Sequence, residues 1–265
     1  MNRAYPKAIR ERRGEAMQPH IPFFWLHIKK SAGTSTRKLL QPYYREVDRI
    51  KKPPNFIQSH PSEYNDILNN YRVVLGEYQF RRCLFAKQFL YKGQWDNIVS
   101  FAFLREPVDR CLSMFSYMFW PNRGKGNLRR LLATFVYKRK VYTASRAFDE
   151  FLDRVLEARE SDSIYKPLGL VFSTHTAPVW EDVTDLEGKL LLKKIFRLEH
   201  LIDGINEVYE ECRIEDRIKA NEIRLNQSRG RLLLAPSKQQ LRRIEGIYAQ
   251  DFELYEGASR AERKS

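Results

Sequence analysis

Two short stretches of this 265-residue chain carry residue types whose spacing suits an anion. The first is Lys29-Lys30-Ser31-Ala32-Gly33-Thr34-Ser35-Thr36, directly after the apolar run Phe23-Phe24-Trp25-Leu26-His27-Ile28. A phosphate that approaches a backbone needs small residues, free N–H groups and a helix N-terminus aimed at it. Ser31, Ala32 and Gly33 keep bulk away, Thr34, Ser35 and Thr36 offer hydroxyls and a helix cap, and Lys30 adds a mobile point charge at the loop mouth. The second stretch is Phe103-Leu104-Arg105-Glu106-Pro107-Val108-Asp109-Arg110-Cys111-Leu112-Ser113. Arg105 leaves the end of an apolar run, where its guanidinium can fork onto an anion, and Ser113 lies off the apolar stripe of the helix that follows. Asp109 and Arg110 read as local helix charges. The two stretches together point to a nucleotide-like ligand. The loop is not a Walker A motif: Lys30 precedes Gly33, no glycine stands upstream in the loop, and G-x-G-x-x-G is absent.

The elements that must position these stretches follow from apolar periodicity. Residues 23–28, 98–104 and 195–198 are short apolar runs rich in β-branched and aromatic side chains and read as buried strands, as does Val73-Val74-Leu75. Helical spacing recurs from Pro107, suited to a first helical position, through Val108, Cys111, Leu112, Phe115 and Met118. Phe148, Phe151, Leu152, Val155 and Leu156 form a second stripe, and Leu201, Ile202, Ile205, Val208, Tyr209 and Cys212 a third. Ser237 and Gln240 make a capping box for a last helix with Leu241, Ile244, Tyr248 and Phe252 inward. Pro42 limits the helix after the first loop. Strands alternating with helices predict an α/β fold with a parallel sheet covered on both faces. Ligands of such sheets sit beyond the carboxyl ends of the strands, where both stretches fall.

Composition narrows the class. Hydrophobic content of 43% with 13% aromatic residues fits a folded chain, and no apolar run approaches the ~18 residues of a membrane span. Residues 1–20 lack the apolar centre of a signal peptide and are expected to be a basic tail, with a single domain over 21–256 and a second tail over 257–265. The three cysteines, Cys83, Cys111 and Cys212, are not closely paired, which disfavours a disulfide framework or a cysteine-based metal site and suits a reducing compartment. The net charge of +14, from 47 basic and 33 acidic residues, favours polyanionic partners without choosing among them. Between Pro121 and Arg146 eight basic residues occur with no acid, which reads equally as a solvated lid or an acidic-ligand patch.

His27-Ile28-Lys29-Lys30-Ser31-Ala32-Gly33-Thr34-Ser35 resembles the H-I-P-K-T-A-G-T-S loop of sulfotransferases that use 3′-phosphoadenosine 5′-phosphosulfate (PAPS), most closely the carbohydrate branch with the heparan and uronyl 2-O-sulfotransferases. Arg105 and Ser113 match that family's L-R-[DE]-P-x-x-R-x-x-S signature. The resemblance extends weakly from about Pro22 to Tyr255 through Phe148-Asp149-Glu150-Phe151-Leu152, through Phe196-Arg197-Leu198-Glu199-His200-Leu201, and through Asn226-Gln227-Ser228 with Pro236-Ser237. Lys29 stands where the family has Pro. The resemblance implies a P-loop-like sulfotransferase fold in which Lys30, Ser31, Ala32, Gly33, Thr34 and Ser35 bind the 5′-phosphosulfate and Arg105 and Ser113 the 3′-phosphate. It implies no metal. Ser228, Arg229 and Arg231 are candidates to close over the 3′-phosphate, with an exposed basic turn as the alternative.

Sulfuryl transfer is an in-line displacement governed by positioning and charge stabilisation. Lys30 would stabilise the departing oxygen, and a base must take the acceptor hydroxyl's proton. The carbohydrate branch often places a histidine in a Gly-His-aromatic step; here Gly76-Glu77-Tyr78 stands there, so Glu77 is expected to replace it, sharpened as a base if burial raises its pKa. His60 and His175 are the rivals, and His27 belongs to the strand. The expected partners are the nucleotide donor and a hydroxyl acceptor such as an acidic glycan, with no nucleic acid; the expected location is cytoplasmic, a trimmed Golgi-lumenal enzyme being the alternative. A nucleoside or small-molecule kinase and a non-enzymatic polyanion- or RNA-binding domain are the other two readings. Missing Walker A spacing argues against the first, and scattered tyrosines without an RNA-binding signature against the second.

Overall fold

A computed structural model describes residues 20–47, 56–70, 74–118, 144–160, 169–219 and 234–258. Three apolar runs form strands: β1 (Phe23–Leu26), β2 (Val99–Leu104) and β3 (Lys194–Arg197). They pair in parallel in the order β1-β2-β3, with Trp25 opposite Phe101 and Phe103 opposite Phe196. Their alternate residues feed two cores. Phe24, Leu26, Ala102, Leu104 and Ile195 face one side; Phe23, Trp25, Val99, Phe101, Phe103 and Phe196 face the other. Both faces are therefore buried, which is why the strands read as continuous apolar runs.

Helices cover the two faces. On the second face lie α1 (Gly33–Leu40) and a helix spanning Leu201–Glu211. Gly204 lets that helix settle on the sheet, because a Cβ there would stand 2.9 Å from the rings of Phe103 and Phe196. On the first face lies α2 (Tyr64–Asn70) with α3 (Arg82–Phe85). The chain after β2 continues as α4 (Pro107–Met118), α5 (Ala144–Glu160), α6 (Gly169–Thr176) and α7 (Val179–Val183). Leu201–Glu211 is then α8, and α9 (Lys238–Gly257) ends the described fold. A third core joins α4, α5, α6 and α9 through Phe115, Phe148, Phe151, Phe172 and Tyr248. The capping box at Ser237 and Gln240 forms in full. Helix α1 stops at Leu40, just before Pro42, as the sequence predicts. All three cysteines are buried thiols. No helix of the described residues is long and apolar enough to cross a membrane.

The strand expected at Val73-Val74-Leu75 is not formed at its described residues. Val74 is exposed, and the Leu75 N–H donates to the Gln79 side chain in a local turn. The free edge of β1 is taken instead by two amides of α2. Asn65 accepts from Trp25 N–H at 2.6 Å and donates to Phe23 C=O at 3.1 Å; Asn69 accepts from His27 N–H at 2.8 Å and donates to Trp25 C=O at 2.6 Å. Four residues apart, they share one helix face and copy the donor–acceptor pattern of a neighbouring strand. An exposed strand edge is thus closed without another strand.

Both asparagines are buried, so truncation orphans two enclosed backbone groups. Asn69→Ala is expected to lower unfolding free energy by about 1–3 kcal/mol in urea titration with an unchanged slope. A loss under about 0.5 kcal/mol would show that water satisfies this edge equally well.

Candidate active site

The loop after β1 is shaped by what lies beneath it. Lys30 and Ala32 adopt left-handed backbone, with φ of 68° and 52°. For L-residues this costs about 1–2 kcal/mol each and must be held by surroundings. Ala32 is the N-cap of α1 and no side chain caps it, so the sequence reading of Thr34, Ser35 and Thr36 as caps is corrected: all three lie inside the first turn. The Thr36 hydroxyl donates to Ala32 C=O, as do the N–H groups of Ser35 and Thr36. The N–H groups of Gly33 and Thr34 precede any intrahelical acceptor, and a left-handed residue followed by helical ones turns successive N–H groups into an anion-facing nest. Ser31 Oγ is buried with no hydrogen-bond partner.

Gly33 is dictated by His27. A Cβ at position 33 would stand 1.7 Å from His27 Nε2, so the imidazole fills the place a side chain would need. The ring stacks on Trp25, its Nδ1 is enclosed without a partner, and burial, with Lys29, Arg82 and Arg37 nearby, holds its pKa well below the ordinary value. His27 is therefore a neutral wedge under the loop, in keeping with a structural role.

Two buried guanidiniums fix the backbone on either side of that wedge. Arg82 grips Asp182 through Nε and Nη2 and donates from Nη1 to His27 C=O at 3.3 Å. Arg110 pairs with Asp251 at 3.1 Å and donates to the carbonyls of Lys29 (3.4 Å), His175 (3.2 Å) and Ala177 (2.7 Å). The expectation that Arg110 is a local helix charge is thereby corrected. Its fork satisfies oxygens from the loop, the end of α6 and α9, which only a planar, permanently charged group with five donors can do. Asp251 also accepts from Val179 N–H and Trp180 N–H, capping α7. Asp109 pairs with Arg105 at 3.5 Å.

Lys30, Arg105 and His175 converge at this loop; Ser113 lies on α4, one helix turn before Tyr117. The Lys30 ammonium rests 4.0 Å from the centroid of the Tyr117 ring. Burial, with the Arg105 charge adding to it, brings the Lys30 pKa down to about 8. His175 stacks on the same Tyr117 ring, centroids 5.4 Å apart and planes 19° from parallel. Glu106, unremarked in the sequence, accepts from Val108 N–H and Asp109 N–H and so caps α4, setting the exit from Arg105. The other base candidates are both exposed. Glu77 sits exposed on a turn over Gly76–Tyr78, so the burial expected to sharpen it is not present. His60 is exposed, and its Nδ1 engages the hydroxyl and N–H of Ser62 to cap the turn over Pro61–Glu63. Ser228, Arg229 and Arg231 lie outside the described residues, as do the basic residues of 121–143.

A family model described as "Sulfotransferase family" matches residues 15–256. The chain belongs to the sulfotransferase family. Comparison with curated proteins and with solved structures returned no match. Membership supports sulfuryl transfer in general terms and agrees with a helix-flanked parallel sheet. Among the described residues no group of three or more His, Cys, Asp or Glu side chains could hold a metal ion.

If His27 dictates glycine at 33, the two positions must be energetically coupled. Gly33→Ala is expected to destabilise strongly in wild type and much less in a His27→Ala background, with a coupling of about 1–3 kcal/mol from a double-mutant cycle by thermal or urea unfolding. Additive effects would contradict the wedge.

Proposed function

We propose that this sulfotransferase uses PAPS as donor and sulfates a hydroxyl group, most naturally of an acidic glycan. The observation that carries the donor is a nest of first-turn N–H groups and an orphaned Ser31 hydroxyl beside Lys30, with Arg105 and Ser113 in the second stretch. These groups are complementary to an anion, and the loop from Lys29 to Thr36 holds no carboxylate to oppose one. PAPS supplies the activated sulfuryl group. Ser31, Gly33, Thr34 and Ser35 orient its 5′ end through N–H and hydroxyl groups, and Arg105 and Ser113 take the 3′-phosphate, in exchange for the long Arg105–Asp109 pair. Lys30 stabilises the negative charge that develops on the departing phosphate oxygen. The glycan reading rests on the loop's resemblance to the carbohydrate branch and on the net charge of +14.

Isothermal calorimetry with 3′-phosphoadenosine 5′-phosphate, the spent donor, tests this. Binding at least about tenfold tighter than ATP with magnesium is expected; the opposite order would favour a kinase. The Lys30 ammonium adds a pH signature. It is charged below its pKa of about 8 in the free protein, so affinity should be level up to about pH 7, lose roughly half by pH 8 and fall further as pH rises beyond. Lys30→Arg should abolish the fall, since guanidinium stays protonated. A fall that persists in Lys30→Arg would assign the titration elsewhere.

A further inference from the structure

His175 is the titratable group that the fold places against the site without a structural reason for its free nitrogen. Its Nδ1 lies 2.7 Å from Val171 C=O, one helical turn back on α6. A carbonyl can only accept, so Nδ1 carries the proton and Nε2 is left with its lone pair. Stacking on Tyr117 fixes the plane of the ring, and Arg110 fixes the backbone through the His175 carbonyl. The same Tyr117 ring carries the Lys30 ammonium, so acid and base sides of a transfer reaction are held against one phenol.

We infer that His175 is the catalytic base, its Nε2 taking the acceptor's proton while Lys30, on the same Tyr117 ring, faces the departing oxygen. The inference rests on the PAPS reading above. The acceptor oxygen forms the new bond to sulfur, the bond from sulfur to the phosphate oxygen breaks with its electron pair on that oxygen, and the hydroxyl proton passes to Nε2 and then to solvent. Burial brings the His175 pKa down to about 4 against the Val171 hydrogen bond, and Lys29, Lys30 and Arg110 press the same way. The ring is thus unprotonated at neutral pH. An anionic donor set against those three cations raises its basicity when transfer is due. Tyr117 is a positioning residue in this scheme: it touches both groups and exchanges no proton.

The test uses water as acceptor, since PAPS hydrolysis needs no knowledge of the natural one and the same proton must be removed. His175→Asn keeps an amide N–H for Val171 C=O but has no base. It is expected to slow sulfate release from PAPS by about 100-fold or more, with affinity for 3′-phosphoadenosine 5′-phosphate within threefold of wild type and partial rescue by added imidazole. Glu77→Gln should stay within threefold of wild type. Histidine ¹⁵N NMR of the complex with 3′-phosphoadenosine 5′-phosphate gives a readout free of turnover: Nδ1 protonated and Nε2 bare at pH 7. Wild-type hydrolysis by His175→Asn, a large loss in Glu77→Gln instead, or a proton on Nε2 overturns the assignment. If wild-type protein does not bind 3′-phosphoadenosine 5′-phosphate, the donor reading fails and this inference falls with it; if it binds and His175→Asn is unimpaired, the base assignment alone is overturned.

Discussion

Arg82 and Arg110 hold the two carbonyls between which the chain turns from strand into loop, those of His27 and Lys29. Each guanidinium is buried and each has one dedicated carboxylate, Asp182 or Asp251. Such pairs add little net stability, because desolvation of both charges offsets their attraction, but removing one partner is costly. Their value here is geometric. With both carbonyls fixed, Lys30 and Ala32 are driven into left-handed backbone, and the first-turn N–H groups of α1 point outward together. Asp251 extends the constraint to α9 and α7, and the remaining donors of Arg110 tie in the end of α6 where His175 sits.

The loop is therefore a product of long-range polar packing laid over a short sheet. Beneath it, His27 excludes any side chain at 33; beside it, Asn65 and Asn69 close the strand edge that would otherwise seek another partner. The burial that secures these contacts also sets the chemistry. Desolvation and neighbouring cations lower Lys30 and His175 in the same direction, so the free site is poised for an anion that relieves both.

Much of this was legible in sequence because apolar periodicity reports burial. Residues 23–26, 99–104 and 194–197 form strands where the runs predict them, and the Ser237–Gln240 box opens the last helix as spaced. The phosphate-type loop was visible from small residues and hydroxyls, although its N-cap proved to be Ala32. What sequence hides is pairing at a distance. Arg110 and Asp251 lie 141 residues apart, so Arg110 looks like any helix charge until the fold brings them together. Val73-Val74-Leu75 has strand composition, but the β1 edge it would join is filled by asparagine side chains, whose spacing of four was the one signal that could have warned of it. Glu77 and His175 are both candidates in the sequence, but it takes the fold to show Glu77 exposed on a turn and His175 stacked on Tyr117 with its Nδ1 against Val171 C=O.

The central claim is that one site holds both ends of a doubly phosphorylated adenosine. A crystal structure of the protein with 3′-phosphoadenosine 5′-phosphate tests it most directly. The account expects the 5′-phosphate on the N–H groups of Gly33 and Thr34 with Lys30 alongside, and the 3′-phosphate on Arg105 and Ser113. A nucleotide bound elsewhere, or bound with Arg105 still engaged only by Asp109, would contradict it.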